Sequence, residues 1–340
     1  MNTFLLGYRR VIGLAWPFIL ANAAVPLLGL VDTAVIGNLG SAQDLGAIAF
    51  GALIFSFVYW GFGFLRMGTT GFVAQAAGAS DFLEVRAVLG RSLLLAVGLG
   101  CLLIVLQLPV RWLAFSFLSG SNDVEQMAAL YFSIRIWGAP ATLMGFVGTG
   151  FLVGIGRSRT LLGLQLFLNG LNILLDTLLA GVLGLGAAGI ALGTVISEWC
   201  AVLLGAVLLY RVLLEMSPAG ESFWPLEKIL DQKKLAQSLA ANLDIMIRTL
   251  LLVFSFAFFT NQGARFGDIA LAANHILLQI ISFSAFFLDG FAFAVEGLVG
   301  RAFGAGDSLQ FTTAVRRTSV LAAISAVVLA SIVLLSGADL

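Results

Sequence analysis

Nine stretches of this 340-residue chain stay apolar for the length of a membrane-spanning helix. They fall at roughly 11–36, 45–72, 88–108, 128–152, 161–180, 187–210, 237–260, 269–296 and 313–336. In hydrocarbon every backbone N–H and C=O must be satisfied within the chain, which leaves helices and closed barrels. Runs of about 20 residues, without the ten-residue alternation of barrel strands, leave only helices. The chain is therefore read as an all-α polytopic membrane protein. Its composition agrees: 11% of residues are charged and 60% are hydrophobic, against about 25% charged in a soluble domain. A shorter apolar and aromatic segment, 110–119, reads as an interfacial piece or a helix extension.

Lys and Arg set the orientation. With the N-terminus inside, the cytoplasmic segments hold thirteen of them, including Arg9, Arg10, Arg157, Lys233 and Arg317, and the outer loops hold only Arg111 and Arg265. That bias places the N-terminus in the cytoplasm. The first apolar run follows Arg9 and Arg10 but is too long for a signal peptide, so it is the first span. The formal net charge of zero argues against nucleic-acid partners. Cys101 and Cys200 lie in apolar runs and read as packing residues, and His275 is the only histidine. Neither a G-x-S-x-G nor a G-x-x-x-x-G-K-[ST] string occurs. An intramembrane hydrolase and an ATPase are disfavoured on those grounds, and no cofactor is expected.

The chain repeats itself. Gly71–Leu95 aligned with Gly297–Leu321, an offset of 226, gives nine identities in 25 positions, among them Gly78/Gly304, Asp81/Asp307 and Arg91/Arg317. Both copies begin on the same side, so the repeat is parallel, about an axis along the membrane normal. Residues 1–211 form a first lobe of six spans, 212–236 a cytoplasmic linker with Pro218 and Pro225, and 237–340 three spans of a second lobe. By subtraction about 100 residues of the second lobe are expected to be missing, as in a fragment or a natural truncation.

Acidic residues inside the spans point to function. Asp32 lies in the outer part of the first span, where a carboxylate costs roughly 2.5–3.5 kcal/mol unless it faces a protein interior or a watery cavity. Asn172 and Asp176, four apart, share a face of the fifth span, and Asp176 is about one turn from its outer end. Thr194 on the sixth span falls in the same layer. Two carboxylates in one low-dielectric pocket repel and favour sharing a proton, and the same oxygens could ligate Na⁺. Glu198, one turn further along, either extends a proton path or pairs with Arg135. At the position of Asp32 the second copy has Ser255. Asp244 and Arg248, at i and i+4, are expected to neutralise each other, and Arg66, Asp289 and Glu296 are candidates for gate salt bridges.

Four strings carry a resemblance: PLLGLVDTAVIG at Pro26–Gly37, LRMGTTG at Leu65–Gly71, LDIMIRT at Leu243–Thr249 and LDGFAFAVE at Leu288–Glu296. Together they resemble the DinF subfamily of the MATE (multidrug and toxic compound extrusion) transporters. One departure is Asn242-Leu243-Asp244, where that family usually has Asn-Arg-Asp. The resemblance implies a two-lobe helical bundle of twelve spans, of which nine are present here. It further implies alternating access, with export of amphiphilic organic compounds in exchange for H⁺ or, less favoured, Na⁺. The cation site it implies is Asp32, Asn172, Asp176 and Thr194. A multi-pass protein of the bacterial inner membrane, monomeric and in contact with lipid, is the corresponding expectation. Two rivals are a lipid-linked precursor flippase, which should line its cleft with cations, and an inactive truncated fragment.

Overall fold

Helices occupy every apolar run. In this computed structural model, α1 spans Tyr8–Leu39, α2 Ala42–Gly61 and α3 Phe64–Gly78. Next come α4 (Phe82–Val105), α5 (Gln107–Phe117), α6 (Asn122–Arg135), α7 (Ala139–Gly154), α8 (Ser158–Asp176) and α9 (Gly186–Glu215). A single turn, α10 (Leu226–Ile229), precedes α11 (Gln232–Ala264), α12 (Asp268–Gly304) and α13 (Ser308–Ser336). The structure describes residues 7–39, 42–117, 122–216, 223–264 and 268–336. Within these ranges the side chains of 24–39, 42–43, 117, 257, 260–261, 263–264, 268–276, 279 and 336 are not described. Among the described residues eight segments are long and apolar enough to cross a membrane, and α1 adds a helix of 32 residues over the first run.

Two spans are broken where the sequence suggested continuous helices. The second consists of α2 and α3, separated by a tight turn at Phe62 and Gly63. There the Phe62 N–H bonds to the Tyr59 carbonyl and the Gly63 N–H to that of Trp60. The fourth consists of α6 and α7, joined by a 3₁₀ turn over Ile136–Gly138. Pro140 explains that break: it lacks an N–H, and its ring crowds the carbonyl four residues earlier. The short 110–119 segment is the separate helix α5.

The repeat is visible in three dimensions. After α3 the chain passes Ser80, at φ +59°, and Asp81 caps α4 by accepting the Glu84 N–H at 2.9 Å. After α12 it passes Gly306, at φ +67°, and Asp307 caps α13 by accepting the Gln310 N–H at 2.8 Å. These pairs are 226 residues apart, the offset read from the sequence. The two copies also touch reciprocally. A Cβ on Gly78 would overlap the Arg301 backbone, and one on Gly304 would overlap that of Gln75, which is the counterpart of Arg301. Between them, a Cβ on Gly300 would come 2.6 Å from Ala74 Cβ, and these two residues are counterparts of each other. Contacts that exchange partners in this way require a pseudo-two-fold axis between α3 and α12. The seam lies at the face where α1 begins, here the near face. α2, α6 and α9 begin at the opposite, far face. Glycines set the distance, since only a backbone without Cβ allows helices so close.

One ion pair expected from the sequence does not form. Asp244 and Arg248 are both exposed on α11 and make no salt bridge with each other. The Arg248 guanidinium reaches across to the Met67 sulfur on α3 instead, at 3.6 Å. An i,i+4 pair in water is worth only about 0.2–0.5 kcal/mol, too little to hold the side chain against a packing contact.

Candidate cation-coupling site

α8 is built inside out. Its buried residues are Ser158, Leu161, Asn169, Asn172 and Asp176, so most of its inner face is polar. Its outer face carries Leu166, Phe167, Ile173 and Leu174, all exposed. A helix in water puts its apolar stripe inward. The reverse arrangement fits a helix with hydrocarbon outside and a polar interior, the setting in which intramembrane carboxylates are tolerated. The inner face of α8 packs on α1 and α9.

Asp176 ends α8 and is fully buried, at 0% exposure. Directly after it the backbone widens into a π-helical turn over Thr177–Val182. Such turns are rare and often sit at functional positions. Space for the carboxylate comes from α9, where a methyl group on Gly193 would overlap Asp176 Oδ1. One turn earlier, a Cβ on Gly189 would lie 2.7 Å from the Ala180 nitrogen. Glycines four apart let α9 press its backbone against the end of α8. Asp44 on α2 fixes the start of α9 by accepting the Ala187 N–H at 2.9 Å.

Asn172 and Thr194 join Asp176 as the sequence suggested. Asn172 is 1% exposed, and its Nδ2 donates to Thr194 Oγ1 at 3.4 Å. Thr194 in turn donates to the Ile190 carbonyl at 2.9 Å, which leaves its oxygen facing Asn172. Asn172 Oδ1 is buried without a hydrogen-bond partner among the described residues, as is Asn169 Nδ2 one turn below. An unsatisfied buried amide oxygen is costly unless something completes it. Asp32 lies on α1, but its side chain is outside the described residues. His275 is likewise outside them.

Glu198 is occupied. Arg135 grips it through two hydrogen bonds, Nη1 to Oε2 at 2.9 Å and Nη2 to Oε1 at 2.6 Å. The guanidinium also stands over Phe55 at 5.3 Å and Tyr59 at 5.5 Å. A bidentate pair between aromatic faces has the features of a structural clamp, here tying α6 to α9. Of the gate candidates, Arg66 and Glu296 pair at 2.9 Å between α3 and α12, with Phe293 stacked on the guanidinium at 4.1 Å. Asp289 is two turns earlier on α12 and exposed.

Comparisons with known proteins agree with this architecture. The MatE family model matches residues 17–178 and 245–339. The chain belongs to the MatE family. It is 40% identical to the DNA damage-inducible protein F of Escherichia coli K12 over 324 residues, 95% of this chain and 70% of that protein. It is 28% identical to a probable multidrug resistance protein NorM of Acinetobacter baylyi, covering 81% of this chain and 61% of that protein. With DETOXIFICATION 44 of Arabidopsis thaliana identity is 29%, over 88% and 58% of the two chains. The chain thus spans between about three-fifths and seven-tenths of the length of these relatives. Among solved structures, an outward-facing multidrug resistance MATE transporter superposes with a TM-score of 0.86 at 20% identity, over 100% of this chain and 76% of the other. A MOP superfamily transporter from Pyrococcus furiosus gives 0.83 at 23%, over 97% and 73%. At these identities the superpositions speak for the fold.

Proposed function

We propose that this protein is a secondary active antiporter that exports amphiphilic organic compounds in exchange for H⁺, with Na⁺ as the alternative ion. The observation that carries the reading is the fully buried Asp176 on the polar inner face of an otherwise lipid-facing helix. Relatives named as multidrug resistance and export proteins support the substrate class. In this reading residues 1–211 are the first lobe, 212–236 the linker and 237–340 three spans of the second lobe. The near face is cytoplasmic, and the protein works as a monomer in a bacterial inner membrane.

Asp176 and Asp32 would exchange the coupling cation from the far, external side. Asn172 Oδ1 and Thr194 Oγ1 supply neutral oxygens that suit either a protonated carboxyl or Na⁺. Glu198 does not compete, because Arg135 neutralises it. The near-face seam would close the cytoplasmic side while the far side is open, and parting it would complete alternating access. No enzymatic step is involved.

Efflux from everted vesicles containing the full-length protein tests the reading. Asp176→Asn and Asp32→Asn are expected to abolish gradient-driven efflux without loss of expression, because neither variant can change charge. Gly193→Ala should reduce efflux strongly through displacement of the Asp176 carboxylate. Asn172→Ala and Thr194→Ala should weaken it less. Ser255→Ala should be silent, since Ser255 is exposed and its hydroxyl is bonded to its own helix at Leu251. Transport at the unmodified level by both Asp→Asn variants would rule out the site. A response to an imposed Na⁺ gradient alone would overturn the preference for H⁺.

A further inference from the structure

The near-face turns of the two repeats differ in charge. In the first, Glu84 sits among three cations: it accepts Arg91 Nη2 at 2.6 Å and Lys234 Nζ at 3.2 Å, while neighbouring Asp81 meets Lys228 at 3.5 Å. The cluster is neutralised from within. The second repeat also has cations at this corner. Arg317 is the counterpart of Arg91, and Arg9 and Arg10 lie in the first turn of α1 as Lys233 and Lys234 lie in that of α11. The counterpart of Glu84, however, is Gln310. An amide stands in place of the carboxylate, beside Arg317 and the arginines of the first turn of α1.

A cavity opens at that place. It has a volume of about 140 Å³ and is lined by Arg10 from α1, Leu298 and Arg301 from α12, and Gln310 and Ala314 from α13. Among the described residues no carboxylate lines it. The Arg301 guanidinium is anchored, with Nε donating to the Gly297 carbonyl at 3.1 Å and Nη1 approaching the Ile155 carbonyl at 3.5 Å. Arg10 adds a second guanidinium from the rim, and it too has no carboxylate partner among the described residues. Asp307, three residues before Gln310, is engaged in capping α13 at the Gln310 N–H. Arg317 lies over the ring of Tyr8 at 5.2 Å, on the flank of the same corner.

Two arginines and a glutamine lining a small cavity, with the carboxylate of the first repeat absent, make a receptor for a tetrahedral oxyanion. At about 30 Å³ per water, the cavity holds one phosphate group with a few waters. Guanidinium–phosphate contacts are short, directional and among the stronger hydrogen bonds of proteins. Basic pockets between helices at the cytoplasmic membrane surface suit phospholipid headgroups. The geometry points to a phosphate-binding site between α1, α12 and α13, filled by the phosphate of an anionic phospholipid such as phosphatidylglycerol or by free phosphate. The site is separate from the coupling site, and its test does not depend on transport.

Native mass spectrometry of the purified protein, exchanged from phosphatidylcholine into phosphatidylglycerol, reads the occupancy directly. One tightly retained phosphatidylglycerol is expected per chain. Gln310→Glu restores the carboxylate of the first repeat and should lower retention about tenfold, with Arg10→Gln having a similar effect, as for loss of a charged hydrogen bond. Both residues are exposed, so the melting temperature in phosphatidylcholine should stay unchanged. Arg9→Gln, outside the cavity, should retain lipid as the parent does. Inorganic phosphate added in phosphatidylcholine separates the two sources. If it raises the melting temperature, Gln310→Glu abolishes that rise and phosphatidylglycerol is not retained, the ligand is free phosphate and the site stands. Equal retention of both lipids together with no response to phosphate would overturn the proposal. So would phosphatidylglycerol retention that Gln310→Glu leaves intact.

Discussion

The turn at 79–81 and the turn at 305–307 share a backbone and differ in their surroundings. Both place a residue with positive φ before an aspartate that caps the next helix, and both stand beside a glycine pressed against the other repeat. What persists between the copies is what the backbone geometry requires: a close approach, a left-handed residue and a cap. What has changed is charge. Glu84 has become Gln310, the position of Asp32 holds Ser255, and the residue just before α11 is Asp231 where that before α1 is Gly7. Residues that build the repeat are constrained twice over, whereas residues that handle ions can differ between the lobes. The asymmetric positions are therefore where function is to be sought.

The largest expected effect tests the shared part. Gly78→Val and Gly304→Val each drive a branched side chain into the backbone of the opposite repeat. Overpacking of this kind costs about 3 kcal/mol, with little room for relief where the obstacle is main chain. Because the two contacts are related by the pseudo-axis, the losses should be similar. Thermal unfolding in detergent measures them. Gly71→Ala, where a Cβ would meet nothing within 4 Å, is the silent control. A large loss at one glycine and none at the other would break the symmetry argument.

The unequal part should respond unequally. Glu84→Gln leaves Arg91, whose side chain is only 4% exposed, without its carboxylate. Stripping one partner from a largely buried pair costs about 3–5 kcal/mol. The remaining bond from Arg91 to the Lys228 carbonyl, at 2.7 Å, and the exposure of Lys234 reduce that to about 2 kcal/mol. The mirror change, Gln310→Glu, adds an acid to a corner rich in cations and should leave stability unchanged or slightly raised. Chemical denaturation would show both. A destabilising Gln310→Glu would mean that the second corner is already neutralised by some other group.

Much of this was legible in the sequence, for identifiable reasons. Span positions follow from the cost of unpaired backbone in hydrocarbon, which no tertiary detail can override. The repeat was readable because Asp81/Asp307 and Gly78/Gly304 serve local geometry, and local geometry leaves a fixed spacing. Asn172, Asp176 and Thr194 could be brought together from helical period and depth alone. The breaks at Phe62–Gly63 and Ile136–Gly138 were not seen, although Gly61, Gly63 and Pro140 were the available signal. The sequence names Arg135 as one of two readings for Glu198; the choice between them depends on how α6 crosses α9, which one sequence does not give. The same holds for Gly193, whose role exists only because Asp176 stands opposite it. Helical spacing misses the Arg248 contact because a neighbour on another helix, Met67, outweighs one along its own.

The smallest expected effect concerns the starts of α1 and α11, where Gly7 and Asp231 are the residues just before the helix. In α11 the Leu235 N–H bonds to the Asp231 carbonyl at 2.9 Å, and in α1 the Val11 N–H bonds to the Gly7 carbonyl at 3.3 Å. Asp231 also uses its side chain, with Oδ1 accepting the N–H groups of Lys233 at 2.9 Å and Lys234 at 3.2 Å. Gly7 has no side chain to offer. The Lys234 N–H, followed by that of Lys233, holds the Asp231 carboxyl below its ordinary value. A carboxyl whose folded value lies under its unfolded value of about 3.9 adds protection that is complete above that value. The protection is lost as the pH falls through the lower, folded value. Hydrogen exchange at Lys233 and Lys234, corrected for intrinsic rates, should therefore accelerate as the pH is taken from 6 toward about 3. Exchange at Arg9 and Arg10 should show no such step, because nothing titrates at Gly7. Asp231→Ala should remove the pH dependence at α11 and make its first turn behave like that of α1. A pH step of equal size at both helix starts would show that the difference between the repeats at this position is without consequence.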